Sequence, residues 1–326
     1  MKKKLYIKTA FLSLASMAMF SSCLKDDAHY IDFAGSKPLV ELPAATGVGA
    51  NGGYVSTIAL PISTTPAEID LAVNLAAPKP LSTNLTVKLA IDPTIVTNYN
   101  AAQAAAYAAA VTQYNSDLAA YNAGTLALKP TAPTAPTVYT LMPTDFYTIG
   151  SLTITIPAGK NLVNVPIMVT TSGFDLATHY VIPFKIIDGG GQQISNYNTT
   201  MFFVIPKNQW DGIYVDNGYS LRLGDAVRTG NFTGTKIALI TAGPNSVNWS
   251  PVWADGSGVG GVGTPTITIN PDNTITNTSS ANGTWTNATG YNNVYDPVNH
   301  VFYISTVWSS PGTRATTDTL TYSGSR

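Results

Sequence analysis

Seven short runs of alternating apolar and polar residues between positions 54 and 205 constrain this chain more than any other feature. Ile69, Leu71, Val73 and Leu75 alternate with Asp70, Ala72 and Asn74, and Leu85, Val87, Leu89 and Ile91 repeat the pattern. So do Leu152, Ile154 and Ile156, then Val163, Val165, Ile167 and Val169, then Tyr180, Ile182, Phe184 and Ile186. A two-residue period puts all the apolar side chains of a strand on one face, so each run reads as a strand with one buried side. With the stretches near 54–62 and 201–205 the count matches an immunoglobulin-like β-sandwich. Cys23 is the only cysteine, so no disulfide can bridge the sheets and packing alone must hold them.

One segment breaks the period. Asp92-Pro93 has the form of a helix N-cap followed by proline at the first helical position, the chain is then Ala-rich to residue 123, and Gly124 offers a stop. Tyr107, Val111, Tyr114, Leu118 and Tyr121 recur at four-then-three spacing, which makes one stripe along a helix. The return leg, Lys129 to Pro136, has proline at every third position and should be extended and polyproline-like. Either the stripe packs on the sandwich while the leg brings the chain back, or the pair protrudes as a partner-binding element.

The alternation ends near Pro206, and all five tryptophans follow, at 210, 249, 253, 285 and 308. Thr266 to Ile269 and Thr274 to Thr276 flank Asn270-Pro271-Asp272-Asn273, a hairpin signature. His300 to Trp308 and Thr316 to Tyr322 read as two closing strands, and residues 243–264 as a Gly-rich loop carrying Trp249 and Trp253. The fold class is therefore all-β: an N-terminal immunoglobulin-like sandwich with an inserted helix, then a second antiparallel sandwich or barrel. The expected division is a signal peptide at 1–22, a tether at 23–50, the sandwich at 51–206 with an insertion at 97–137, and the β-rich unit at 207–326.

The first residues address the chain to a membrane. A basic Met1-Lys2-Lys3-Lys4, a short apolar stretch from Thr9 to Phe20, and Ser21-Ser22 before Cys23 form a lipoprotein signal, although Phe20 stands where leucine is usual. The apolar stretch is too short for a bilayer core, which takes about 20 apolar residues. Cys23 is read as the lipidated first residue of the mature protein. Lys25-Asp26-Asp27 resembles the signal that sends Bacteroidetes lipoproteins to the outer face of the outer membrane. Cleavage before Cys23 removes Lys2, Lys3, Lys4 and Lys8 from 17 basic residues and none of the 18 acidic ones, so the mature chain is net negative. Nucleic-acid binding, which needs a basic stripe to displace counterions, is excluded on that ground.

The usual tools of catalysis are sparse. His29, His179 and His300 are scattered, no ligand pair has zinc spacing, and Asp255 and Asp272 sit in turns without an EF-hand ladder. The two glutamates, Glu41 and Glu68, fall near the start of the sandwich, and no Gly-x-Ser-x-Gly elbow or phosphate loop is present. The chain is expected to be no enzyme and to need no metal or cofactor. The remaining chemistry is aromatic: Trp249, Trp253, Trp285, Tyr291 and Tyr295 lie in Gly/Asn/Thr-rich sequence and are the candidate glycan-binding residues, since sugar C–H faces stack on such rings. Trp210 and Trp308 are read as packing residues. Burial of both Trp249 and Trp253 would overturn the glycan-capture reading built on these residues and put an adhesin or assembly role in its place.

Several stretches resemble a family of two-domain Bacteroidetes surface lipoproteins: VNLAAPKPLSTNLTVKLAIDPTIVTNY from Val73, LMPTDFYTIGSLTITIPAGK from Leu141, HYVIPFKI, ISNYN, WDGIY, YDPVNHVFYIS and DTLTY. The N-terminal domain of that family also precedes some endo-N-acetylglucosaminidase domains, and the members with a β-rich second domain are non-catalytic. The resemblance implies a role like that of SusE-type starch-binding proteins, with polysaccharide or oligosaccharide and SusCD-like outer-membrane proteins as partners. The long Ala-rich and Pro-rich insertion departs from the family pattern. An adhesin or assembly component using that insertion is the alternative.

Overall fold

The computed structural model describes residues 36–46, 55–281, 284–309 and 313–326. The signal peptide, Cys23 and Lys25-Asp26-Asp27 lie outside the described residues. All seven alternating runs are strands: Val55–Pro61, Ala67–Ala76, Leu85–Ile91, Thr153–Ile156, Leu162–Val169, His179–Asp188 and Thr199–Lys207. They form two facing sheets. Ala67–Ala76 and Leu162–Val169 are central in a five-stranded sheet completed by the short strands Leu39–Glu41, Tyr147–Ile149 and Gln193–Ile194. Val55–Pro61, Thr199–Lys207, His179–Asp188, Leu85–Ile91 and Thr153–Ile156 make the other sheet, with Tyr139–Leu141 beside His179–Asp188. The inward faces supply an almost wholly aliphatic core that includes Leu71, Val73, Val87, Ile156, Ile167 and Ile186.

The tether expected at 23–50 is shorter than the sequence suggests. Leu39–Glu41 pairs antiparallel with Ala67–Ala76, and Val40 and Leu42 are fully buried. Three residues of alternation are too few to register as a pattern, so the strand is defined by its partner and not by its own sequence.

The break in the alternation is a helix, Pro93–Asn122. Asp92 caps it, its Oδ1 accepting from the Thr94 amide at 3.1 Å and the Thr94 hydroxyl at 2.6 Å, and Pro93 occupies the first turn, where no amide is needed. Gly124 ends it with φ of 74°, a left-handed conformation that favours glycine. Of its 30 residues only Val96 is buried. The stripe residues Tyr107, Val111, Tyr114 and Leu118 are half-buried, as are Pro130, Pro133 and Pro136 of the return leg. Three-residue spacing matches one turn of polyproline helix, so these prolines share one side of the leg. At the base Asn100 clamps the leg, donating to the Tyr139 carbonyl at 2.7 Å and accepting from its amide at 3.0 Å. The 23 residues from Asn100 to Asn122 rise about 33 Å, and the 14 from Thr125 to Val138 can reach about 43 Å. The leg therefore runs back along the stripe, and the pair forms an arm standing off the sandwich.

The second unit is one nine-stranded antiparallel sheet that curls on itself. From Gly212–Arg222 at its middle the ladder runs one way through Gly230–Gly243, Ser246–Asn248, Pro265–Ile269 and Ile275–Ser279. The other way it runs through Arg314–Gly324 and Val301–Trp308 to Thr286–Asn287 and Val294–Asp296. The expected hairpin and both closing strands are present, and the long pair Gly212–Arg222 and Gly230–Gly243 adds to them. The two ends of the sheet meet: Thr274 bridges Val294, the Ile275 amide donates to Asn293 O at 2.9 Å, and the Tyr295 amide donates to Asn273 O at 2.9 Å. The result is a barrel, the second of the two forms anticipated. At the joint with the sandwich Asp211 accepts from Thr241 and from the Arg326 guanidinium at 3.1 and 3.0 Å, with Lys207 at 3.3 Å.

Candidate functional site

The barrel interior is where the tryptophans go. Trp249, Trp253, Trp285 and Trp308 are each under 5 % exposed, and their rings form a connected chain with centroid separations of 6.4 Å (249 to 285), 4.5 Å (285 to 308) and 5.5 Å (253 to 308). The Gly-rich loop does not wave in solvent; it folds inward as a small hairpin, with Val252 bridging Gly258 and Val259 donating to Pro251 O. Gly263 permits this closeness, since its φ is 67° and a Cβ there would lie 2.5 Å from Ala281 Cβ. Tyr295 is also buried, against Phe302 at 4.6 Å and Trp210 at 6.0 Å. Trp249, Trp253, Trp285 and Tyr295 therefore offer no exposed ring face, and the stacking site expected from them is not formed. Of the five candidates Tyr291 alone is exposed, at 60 %, in the loop after Thr286–Asn287.

The seam of the barrel is different in kind. Between Ile275–Ser279 and Thr286–Asn287 the closure runs through asparagine side chains. Asn287 Oδ1 accepts from the Asn277 amide at 2.9 Å and from Asn277 Nδ2 at 2.8 Å, and Asn287 Nδ2 donates to Ile275 O at 2.6 Å. Asn293 Oδ1 accepts from the Ser305 amide at 2.6 Å. A groove of about 540 Å³ opens here, lined by Thr276, Asn277, Thr278, Ser279, Trp285, Thr286 and Asn287. No charged residue among the described residues lines it. Beneath it Asn277 Oδ1 and Trp285 Nε1, both sealed from solvent, have no hydrogen-bond partner among the described residues, and the same holds for the indole nitrogens of Trp210, Trp249 and Trp308. A buried acceptor and a buried donor left unpaired each cost about 1–3 kcal/mol.

Sequence reasoning placed Trp285 in the candidate set for a face it does not show, and missed Asn277 and Asn287. A signal existed: Ile275, Asn277 and Ser279 occupy alternate positions, so an amide stands where the inward period calls for an apolar residue. The turn aspartates are explained by their own loops. Asp272 Oδ1 accepts from the Thr274 amide and hydroxyl, and Asp255 Oδ1 from those of Ser257, bonds that hold both carboxyls below their ordinary range.

A family model described as a "-like, N-terminal domain" matches residues 48–193, which is most of the sandwich. A Bacteroides ovatus protein of unknown function has a solved structure that is 15 % identical, with 88 % of this chain and 95 % of that one covered and a TM-score of 0.53. The chain has the two-domain fold of these Bacteroides proteins. Similar too, at 14 % identity with 90 % and 94 % of the chains covered and a TM-score of 0.46, is an auxiliary nutrient binding protein of Bacteroides thetaiotaomicron. No curated protein matches the chain. Within the shared fold, the family match stops short of the barrel, so the groove must be judged on its own geometry.

Proposed function

We propose that this chain is a non-catalytic lipoprotein of the outer-membrane surface that captures neutral glycan, as part of a polysaccharide-utilisation system, in the groove at the barrel seam. One observation carries the reading: the groove presents hydroxyls and amides, with no charged residue among the described residues that line it. A sugar hydroxyl donates and accepts at once, so it can pair with the exposed hydroxyls of Thr276, Thr278 and Thr286. A carboxylate or phosphate finds no cation among the described groove residues. Tyr291, close by in sequence, supplies an exposed ring for stacking. The lipoprotein signal ending at Cys23 supports the anchor, and no helix among the described residues is long and apolar enough to cross a membrane.

Titration of the mature protein with a panel of neutral polysaccharides tests the site. Binding should change tryptophan fluorescence, because Trp285 is in the groove wall, and Thr286→Arg on the exposed rim should abolish it with the melting temperature unchanged. Equal affinity in that variant would remove the groove from the reading. The arm favours a second reading, contact with a protein partner, because a long projection built away from the core has no use in the groove. Recovery of a partner by surface crosslinking, with no polysaccharide bound at millimolar concentration, would put this reading first. Cys23→Ala should release the protein from the membrane fraction, and alanines at Lys25, Asp26 and Asp27 should lower its accessibility to external protease without loss of lipidation.

A further inference from the structure

Two carboxyl groups sit inside the barrel with nothing to neutralise them. Asp216, on Gly212–Arg222, is fully buried, and Asp318, on Arg314–Gly324, is 1 % exposed. These two strands are neighbours, with Gly218 opposite Asp318 and Asp216 opposite Leu320, so the aspartates are diagonal partners on the same inner face. Gly218 makes room for the arrangement: a Cβ there would come within 3.2 Å of Asp318 Oδ1 and 2.8 Å of the Phe232 ring. Leu320, Ile304 and Phe232, all buried, surround the pair with apolar surface. None of the four carboxyl oxygens meets a donor in hydrogen-bonding geometry among the described residues.

The surrounding strands carry three cations, Arg222, Lys236 and Arg314, and the phenols Tyr214, Tyr219, Tyr303 and Tyr322. No ion pair joins any of these cations to Asp216 or Asp318: Arg222 pairs with Asp225 and stands over Trp253, and Lys236 is exposed. Taking even one bare carboxylate into such surroundings is costly, and two together are costlier still. Desolvation raises Asp216 to about 7 and raises Asp318 well above the ordinary range, the neighbouring Asp216 adding to the effect and the Thr316 hydroxyl opposing it.

We propose that Asp216 and Asp318 form a proton-holding pair at the centre of the barrel, retaining at least one proton near neutrality and making the barrel an acid-reinforced fold that loosens as the medium turns alkaline. The sign follows from proton counting. In the unfolded chain both carboxyls ionise near the ordinary value of about 3.9, so between that value and about 7 the folded barrel holds a proton the unfolded chain lacks. The contribution to stability is full below the unfolded value and is lost as pH rises through the folded one. For one retained proton the unfolding constant rises about tenfold per pH unit across that window.

All five tryptophans lie at or beyond position 210, so tryptophan fluorescence reports the barrel and not the sandwich. Thermal unfolding of the full mature chain, followed this way, should show a melting temperature roughly 5 °C or more higher at pH 5.5 than at pH 8. Replacing both residues, D216N with D318N, should flatten that dependence and raise the melting temperature at pH 8 above that of the unchanged protein. His300→Gln should keep the dependence, which separates the pair from the nearby histidine. Where the double variant fails to fold, carbon-13 NMR of the aspartate carboxyls in the unchanged protein decides, with at least one still protonated above pH 5.5. A flat dependence, titration of both groups near pH 4, or stability at pH 8 that calcium raises and a chelator lowers would each overturn the proposal, the last by making the pair a cation site.

Discussion

The sandwich and the barrel solve the same problem with different materials. Between the two sheets of the sandwich the gap is about 10 Å, and Val, Ile and Leu from alternate strand positions fill it. In the barrel the strands supply only part of the filling; the rest comes from indoles, four of which, Trp210, Trp249, Trp253 and Trp285, are carried inward from irregular chain. One core is built by repetition along strands and the other by a few large pieces whose position depends on distant neighbours. Damage should accordingly be graded in the sandwich and concentrated in the barrel.

The largest expected effect is at the centre of the indole chain. Trp308→Ala should cost about 3–5 kcal/mol of barrel stability, read from urea unfolding by tryptophan fluorescence; a loss below about 1 kcal/mol would mean the interior can repack and the contrast is weak. Leu71→Ala should cost about 2–4 kcal/mol in the sandwich, visible by circular dichroism but silent in tryptophan fluorescence. If that variant shifts both signals together, the two regions unfold as one and the comparison breaks. At the seam, Asn287→Ala removes the acceptor for Asn277 and should cost about 1–3 kcal/mol, with glycan binding lost in parallel. The smallest effect should follow from replacing residues 101–137 by a short Gly/Ser linker, which leaves the Asn100 clamp residue and Val96 in place. Sandwich stability should move by less than about 1 kcal/mol, since closing a shorter loop is not costly.

The same contrast explains what could be read from the sequence. Strand alternation is local, so each run from Ile69 to Phe202 showed its own buried face, and the helix announced itself through Asp92, Pro93 and Gly124. The burial of Trp249 and Trp253 had no local signature. Glycine-rich sequence looks solvent-exposed whether or not it folds inward, and the turn made possible by Gly263 is set by contact with Ala281, 18 residues later. Asn277 stood at an inward position, but an amide there acquires meaning only from Asn287 across the seam. Leu39–Glu41 likewise had too little length to declare itself before its partner Ala67–Ala76 was known.

The order of strand pairing sets a timetable for acquiring structure. Val55–Pro61 pairs in parallel with Thr199–Lys207, matching Ser56 with Phe202, so the sandwich waits for a contact nearly 150 residues away. Gly212–Arg222, which begins only five residues after that late strand ends, must in turn wait for Arg314–Gly324, matching Asp216 with Leu320 about 100 residues on. The two waiting periods do not overlap: the strand that completes the first body precedes the strand that opens the second. A chain emerging from its amino end can thus finish the sandwich before any barrel ladder exists, so the two bodies do not compete for strands while they form.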